Sequence, residues 1–166
     1  MTSHPFIELV RHEIALADGG SREVVTLTMP DWVACTARTD DGRFVLVRQH
    51  RHGIDAPTLE PAGGLIDPGE SPEVAALREL FEETGYAATT IEPLGWVHPN
   101  PVLQANRCHM FLAHGASKQA EPQVSELEAT EVVLVDRDRL RAALEDGTIT
   151  HALAVLALGR ALAASG

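Results

Sequence analysis

Basic residues are scarce in this chain: 13 lysines and arginines stand against 24 aspartates and glutamates, a formal charge of −11. No Lys/Arg-rich run occurs anywhere in the 166 residues. Nucleic acid and anionic membranes attract concentrated positive charge, so neither is an expected partner. Cysteine is nearly absent too. Cys35 and Cys108 are too few for a disulfide framework and do not form a Cys-x-x-Cys pair, which predicts two reduced, buried thiols in a cytoplasmic protein. Met1 to Arg11 lacks a cationic segment followed by an apolar one, so no secretory signal is expected. The most apolar stretch, Ala152 to Ala164, is broken by Gly159 and Arg160 and is too short to span a bilayer. The remaining composition, 45% hydrophobic and 22% charged, predicts one globular domain over residues 1–166.

Strands are expected at Phe6 to Val10 and Val24 to Met29, separated by the turn-forming Asp18-Gly19-Gly20-Ser21. Trp32 to Ala37 and Phe44 to Gln49 read as two more, joined by a hairpin at Asp40-Asp41-Gly42. Phe44-Val45-Leu46-Val47 is apolar on successive residues, so that strand should be covered on both faces. A Gly/Pro-rich loop follows from Pro61 to Gly69. Ser71 offers a helix N-cap, Pro72 fits the first helical position, and Gly85 ends the helix after Thr84. Further strands are predicted near Ile91 to His98, Cys108 to Ala113 and Val132 to Val135. Helices are predicted at Arg137 to Glu145 and Thr150 to Ala163. Strands and helices mix without strict alternation, which points to a mixed sheet flanked by helices.

The informative segment is Glu70 to Tyr86. At about 100° per residue Glu79, Glu82 and Glu83 share one helix face, and Val74, Leu77 and Phe81 gather opposite them as the expected core face. Like charges three and four apart repel, and Glu82 and Glu83 lie at the negative end of the helix dipole. A solvated acidic face therefore fits poorly, whereas a bound cation would convert the repulsion into a site. Oxygen ligands without Cys or His suggest a hard ion, Mg²⁺ or Mn²⁺.

Gly64, five residues, Glu70, seven residues, then Arg78-Glu79-Leu80-Phe81-Glu82-Glu83-Thr84-Gly85-Tyr86 matches the Nudix box at every fixed position. The chain thus resembles a Nudix hydrolase. The resemblance implies an α/β fold, an α/β/α sandwich with a mixed sheet in which the box forms a loop–helix–loop. It also implies metal-dependent cleavage of a nucleoside diphosphate linked to another moiety. By the same resemblance Glu79 and Glu83 are metal ligands, with Glu82 a ligand or a partner of one. A backbone carbonyl, of Gly63 or of Ala62, completes the set. Arg78 holds the glutamates in place and Glu70 braces the loop.

Val47-Arg48-Gln49-His50-Arg51 followed by Leu59-Glu60-Pro61-Ala62-Gly63 is similar to the lead-in of ADP-ribose and nucleotide-sugar pyrophosphatases. Pro101, fifteen residues after Tyr86, and the tail Asp146-Gly147-Thr148-Ile149 also resemble that group. On this likeness Arg51, with Arg48, contacts substrate phosphate, although an exposed strand-end arginine is the plainer reading. Trp32 either stacks an adenine or belongs to a core or dimer interface. A catalytic glutamate is expected on the loop before Val132: Glu126, with Glu128 and Glu131 as alternatives. The group also implies a homodimer whose N-terminal strands, within residues 1–30, help complete the partner's site.

Other chemistries find less support. His50-x-His52 and Cys108-His109 make no zinc set. The Gly63-Gly64 loop lacks Gly-Lys-Ser/Thr, and no serine sits in Gly-x-Ser-x-Gly. The expected substrate is a small nucleotide, ADP-ribose or a related nucleoside diphosphate sugar. A triphosphate pyrophosphatase and a non-catalytic nucleotide-sugar sensor are the rivals.

Overall fold

Four apolar residues in succession require cover on both sides of their strand, and the architecture provides it. The computed structural model describes residues 6–123 and 130–165. Among these the elements run β1 (Glu8–Ala15), β2 (Ser21–Thr28), β3 (Trp32–Arg38), β4 (Phe44–Arg51), β5 (Ala56–Glu60), α1 (Pro72–Thr84), β6 (Tyr86–Ala87), β7 (Thr90–Val97), β8 (Cys108–His114), β9 (Ser117–Lys118), β10 (Thr130–Val135), α2 (Arg137–Glu145) and α3 (Ala152–Ala164). The main sheet has the order β10-β4-β3-β8-β7, with β5 paired to the second half of β4. β3 and β8 are parallel, while β10 and β3 on β4, and β7 on β8, are antiparallel.

Val45 packs among Ala75, Ala76 and Leu80 of α1 on one face of the sheet. Phe44 and Leu46 pack on the other face with Leu140 of α2 and Leu158 of α3. The expected α/β/α sandwich with a mixed sheet is the observed one. Both cysteines are buried and free, and burial pushes each thiol up to about 12. No helix among the described residues is long and apolar enough to cross a membrane.

Several elements differ from expectation. The first strand runs Glu8–Ala15, well past the predicted Phe6 to Val10, and α3 begins at Ala152 rather than Thr150. β5, β6 and β9 were not predicted. Pro57 inside β5 reads as a strand breaker, but β5 is an edge strand, where a missing N–H is tolerated. The core face of α1 is also different. Val74 is 56% exposed and Leu77 36%, whereas Ala75, Ala76, Leu80 and Thr84 are buried. Small side chains at Ala75 and Ala76 let the helix axis approach the sheet closely. That rotation turns Glu79 and Glu83 toward the sheet instead of away from it.

Helix α1 is fixed at both ends. Ser71 Oγ accepts from the Val74 amide at 3.3 Å, and Gly85, at φ 72°, donates its N–H to the Phe81 carbonyl at 2.8 Å. A Cβ at Gly85 would fall against the Ala120 backbone, with its carbonyl carbon 2.7 Å away. Gly147 has a similar φ of 78° but open space around it. Gly147→Ala should therefore cost only the left-handed conformation, about 1 kcal/mol, and Gly85→Ala about 2–3 kcal/mol, roughly 5–10 °C in Tm. Thermal melts of the two variants check this, and equal losses would contradict it.

Candidate active site

The site begins where β3 and β4 diverge. β3 pairs with β4 only at Ala37 and Arg38, and the box loop fills the opening. The Cys35 amide donates to the Ala62 carbonyl at 2.7 Å, and the Val33 amide to the Gly64 carbonyl at 2.9 Å. At Gly64 a Cβ would lie 2.6 Å from the Glu79 carboxyl carbon, so any side chain there would displace that carboxylate. The glycine thus brings the loop backbone directly against the acidic face of α1.

Arg78 binds loop and helix together with all five of its N–H hydrogens. Nε and Nη2 hold the two oxygens of Glu70 at 3.0 and 2.9 Å. Nη1 donates to Glu79 at 2.8 Å and to Glu82 at 3.1 Å, and Nη2 also donates to the Leu65 carbonyl at 3.0 Å. Glu70 in turn accepts from the Asp67 amide at 3.2 Å. The hydrogen bond to Arg78 holds the Glu70 carboxyl below its usual range. Arg78 itself is pushed further up, with Glu70 the leading cause.

Glu83 accepts from the Gly63 amide at 2.9 Å. Burial pushes its carboxyl up to about 8 against the Gly63 hydrogen bond, and the charges of Glu79 and Glu60 push the same way. Glu79, Glu82, Glu83, Arg51 and Gly63 line one cleft of about 310 Å³. Among the described residues no three His, Cys, Asp or Glu side chains are already gathered as a metal's ligands, because Glu79 and Glu82 are turned to Arg78. The donor set is nevertheless all oxygen and over-supplied with negative charge, which fits a hard divalent cation.

A second cavity of about 350 Å³ opens beside the first and shares Arg51, Gly63, Gly64 and Leu65 with it. Its walls are apolar, with Trp32, Val33, Cys108 and Leu153 among them. Its polar edge is a linked trio. Arg51 grips Glu60 through Nε and Nη2 at 2.8 and 2.7 Å, and His151 Nδ1 lies 2.6 Å from the same carboxylate. Burial alone would raise Glu60, yet Arg51, His151 and Thr58 hold it far below the usual carboxylate range.

The sequence-predicted residues divide accordingly. Glu79, Glu82, Glu83, Arg78, Gly63 and Arg51 come together in the cleft, and Trp32 reaches the adjoining cavity. Arg48 does not. Side chains alternate along β4, so Gln49 and Arg51 line the cleft while Arg48 borders another pocket and pairs with its cross-strand neighbour Glu131 at 3.0 Å. That pairing also takes Glu131 away from the cleft. Pro101 lines a groove with His12, Thr26 and His98 under the N-terminal hairpin, apart from the glutamates. Glu126 and Glu128 lie outside the described residues. Ala62 already has its carbonyl engaged by β3, which distinguishes it from Gly63. Glu60 and His151 were missed as site residues. The one signal was a histidine, instead of Ser, Thr or Asp, at the helix boundary before Ala152.

A family model described as the NUDIX domain matches residues 28–154. The ADP-ribose pyrophosphatase of Bacillus subtilis is 32% identical over 164 residues, covering 95% of this chain and 89% of that protein. A putative 8-oxo-dGTP diphosphatase of the same species is 39% identical over 85 residues, covering 48% of this chain and 56% of the relative. A crystal structure of an ADP compounds hydrolase has a TM-score of 0.85 at 24% identity, covering 100% of this chain and 91% of its own. At that identity the likeness speaks for the fold.

Two carboxyls give stability opposite pH slopes. Glu83 is raised from 4.5 to about 8 in the fold, so the stability it contributes is present in full below 4.5 and is lost as pH rises through about 8. Glu60 is lowered, so its contribution is present above 4.5 and is lost as pH falls. In chelator, Tm should peak near about pH 5 and decline on both sides. Glu83→Gln should flatten the alkaline decline, and melts from pH 4 to 9 measure it. An alkaline decline of the same steepness in the variant would count against the assignment.

Proposed function

The chain belongs to the Nudix family and is a Nudix hydrolase, and from that premise we propose that its substrate is ADP-ribose or a related nucleoside diphosphate sugar. The products are a nucleoside monophosphate and a sugar phosphate. The observation that carries this reading is the pair of cavities: an acidic cleft suited to cations and a diphosphate opens into an apolar cavity large enough for a nucleoside. The similarity to the Bacillus subtilis ADP-ribose pyrophosphatase spans 95% of the chain, whereas the diphosphatase likeness covers 48%. A binding-only sensor is disfavoured because Glu79, Glu82 and Glu83 are all present.

Glu79, Glu82 and Glu83, with the Gly63 carbonyl, would hold Mg²⁺ or Mn²⁺. When bound, such a cation neutralises a diphosphate and acidifies an attacking water. The chain's own residues do the rest. Arg78 restrains the glutamates against their mutual repulsion, and ligands that are held in place need less ordering when a cation arrives. Arg51 stands where the two cavities meet, and its planar guanidinium suits phosphate oxygens. Glu126 is assigned the task of orienting or deprotonating the water, ahead of Glu128.

A triphosphate carries about four negative charges and ADP-ribose about two, so an acidic site with few cationic partners penalises the former. Efficiency on ADP-ribose or another nucleotide sugar should exceed that on ATP and dGTP by at least about tenfold, roughly 1.4 kcal/mol in transition-state stabilisation. Activity should vanish in chelator and return with Mg²⁺ or Mn²⁺, and Glu83→Gln should lower kcat by about two orders of magnitude or more with the fold intact. Kinetics at fixed free metal decide both points. Equal efficiency on a common triphosphate sinks the substrate assignment, and near-normal turnover by Glu83→Gln sinks the site.

We further assign residues 1–166 to one cytoplasmic Nudix domain that works as a homodimer. β1 and β2 form a separate two-stranded sheet on which Leu9, Ile14 and Val24 are exposed, and a lone hairpin is marginal in water. A second copy of the chain is the occupant that would cover it. Light scattering should give twice the 17.9 kDa chain mass, and a monomer at micromolar concentration would refute the assignment.

A further inference from the structure

The apolar cavity beside the acidic cleft has very few polar groups of its own, and they are organised. A sugar ring presents several hydroxyls that each want a partner, whereas a nucleobase has two apolar faces and one polar edge. Trp32, Val33 and Leu153 offer walls for such faces, and the charged and imidazole side chains at the edge are Arg51, Glu60 and His151. Cavity volume, about 350 Å³, accommodates a purine.

All three line the cavity, and of them His151 is the one that can offer a ligand an acceptor held in place by a neighbour. Glu60 is buried, with its side chain 4% exposed, and as a carboxylate it can only accept. His151 Nδ1, 2.6 Å away, must therefore donate to it. Arg51 already balances the Glu60 charge through two hydrogen bonds. With Nδ1 as the donor, the neutral ring keeps a lone pair on Nε2, which has no protein partner among the described residues. Glu60 thus does for His151 what a fixed tautomer requires: it makes the free nitrogen an acceptor. Helix α3 begins directly after His151, and no side-chain cap bond ties the histidine to the helix.

We infer that this cavity is the nucleobase subsite and that His151, oriented by Glu60, is the specificity residue that accepts a hydrogen bond from an exocyclic amine on the base. This deepens the nucleoside diphosphate sugar reading and rests on it. It selects an amino-substituted base such as adenine over the same purine without the amine. Arg51 then has two duties, one toward the phosphates and one in holding Glu60.

The test uses binding as well as turnover. Trp96→Phe leaves Trp32 as the only tryptophan of the chain, so its emission reports on the cavity. In that background, with Mg²⁺ at pH 8, AMP and purine riboside 5′-monophosphate, which differ only by the amine, are titrated. AMP should quench Trp32 and bind at least about fivefold more tightly, as one added neutral hydrogen bond would give. His151→Ala should erase that preference while leaving the weaker nucleotide's affinity nearly unchanged. His151→Gln, whose amide can donate to Glu60 and accept from the amine, should retain it. Equal binding of the two nucleotides by the parent, a preference that survives His151→Ala, or no quenching by AMP overturns the inference, even where ADP-ribose is hydrolysed. The expected preference without turnover of any nucleotide sugar supports the subsite and instead overturns the proposed reaction.

Discussion

Arg78 is the interaction on which the acidic site depends. One guanidinium spans the box loop, at Glu70 and Leu65, and the helix, at Glu79 and Glu82. Without it, four carboxylates within a few turns of chain would repel the loop from the helix. A lysine could supply the charge but not five donors in a fixed fork. The arrangement also sorts the carboxylates. Glu70, Glu79 and Glu82 share Arg78, while Glu83 sits deeper and rests on the Gly63 amide. Burial raises the Glu83 carboxyl, so an added cation has most to offset there.

The geometry around this hub explains how a protein of charge −11 can still have a coherent anion cleft. Positive charge is placed sparingly, at Arg78 inside the cluster and at Arg51 on its border with the apolar cavity. Arg51 is partly tied up by Glu60, so its field is directed rather than broad. Gly63 and Gly64, with Arg51 and Leu65, form the shared wall of the two cavities, and at Gly63 a Cβ would fall against the Val33 backbone.

Much of this was legible from residue spacing. The box fixes Glu70, Arg78, Glu79, Glu82 and Glu83 relative to one helix, and a helix is a local structure whose geometry follows from counting. Its caps, Ser71 and Gly85, were equally readable. The packed face was not, because large apolar side chains are the usual marker of a core face. Close approach to the sheet instead selected Ala75 and Ala76 and left Val74 and Leu77 exposed. Arg48 and Arg51 could have been separated by the period of two along a strand. The Arg51–Glu60–His151 trio had no such route: Glu60 and His151 are 91 residues apart and meet only because α3 starts beside the end of β5.

The parallel pairing of β3 with β8 bears on how the chain acquires its fold. β3 finds few partners nearby: it pairs with β4 only at two positions, and its long ladder is with a strand whose residues follow 76 positions later. β4 meets β5 at once along its second half, but its apolar first half, Phe44 to Val47, is laddered against Val132 to Val135 of β10. β3 and the first half of β4 must therefore remain without most of their strand partners until most of the polypeptide has left the ribosome. Non-local pairing of this kind carries a large loop-closure cost before any contact rewards it, and it slows folding. During that interval the apolar run Phe44 to Val47 is exposed on both faces, so the nascent chain is most vulnerable to aggregation there.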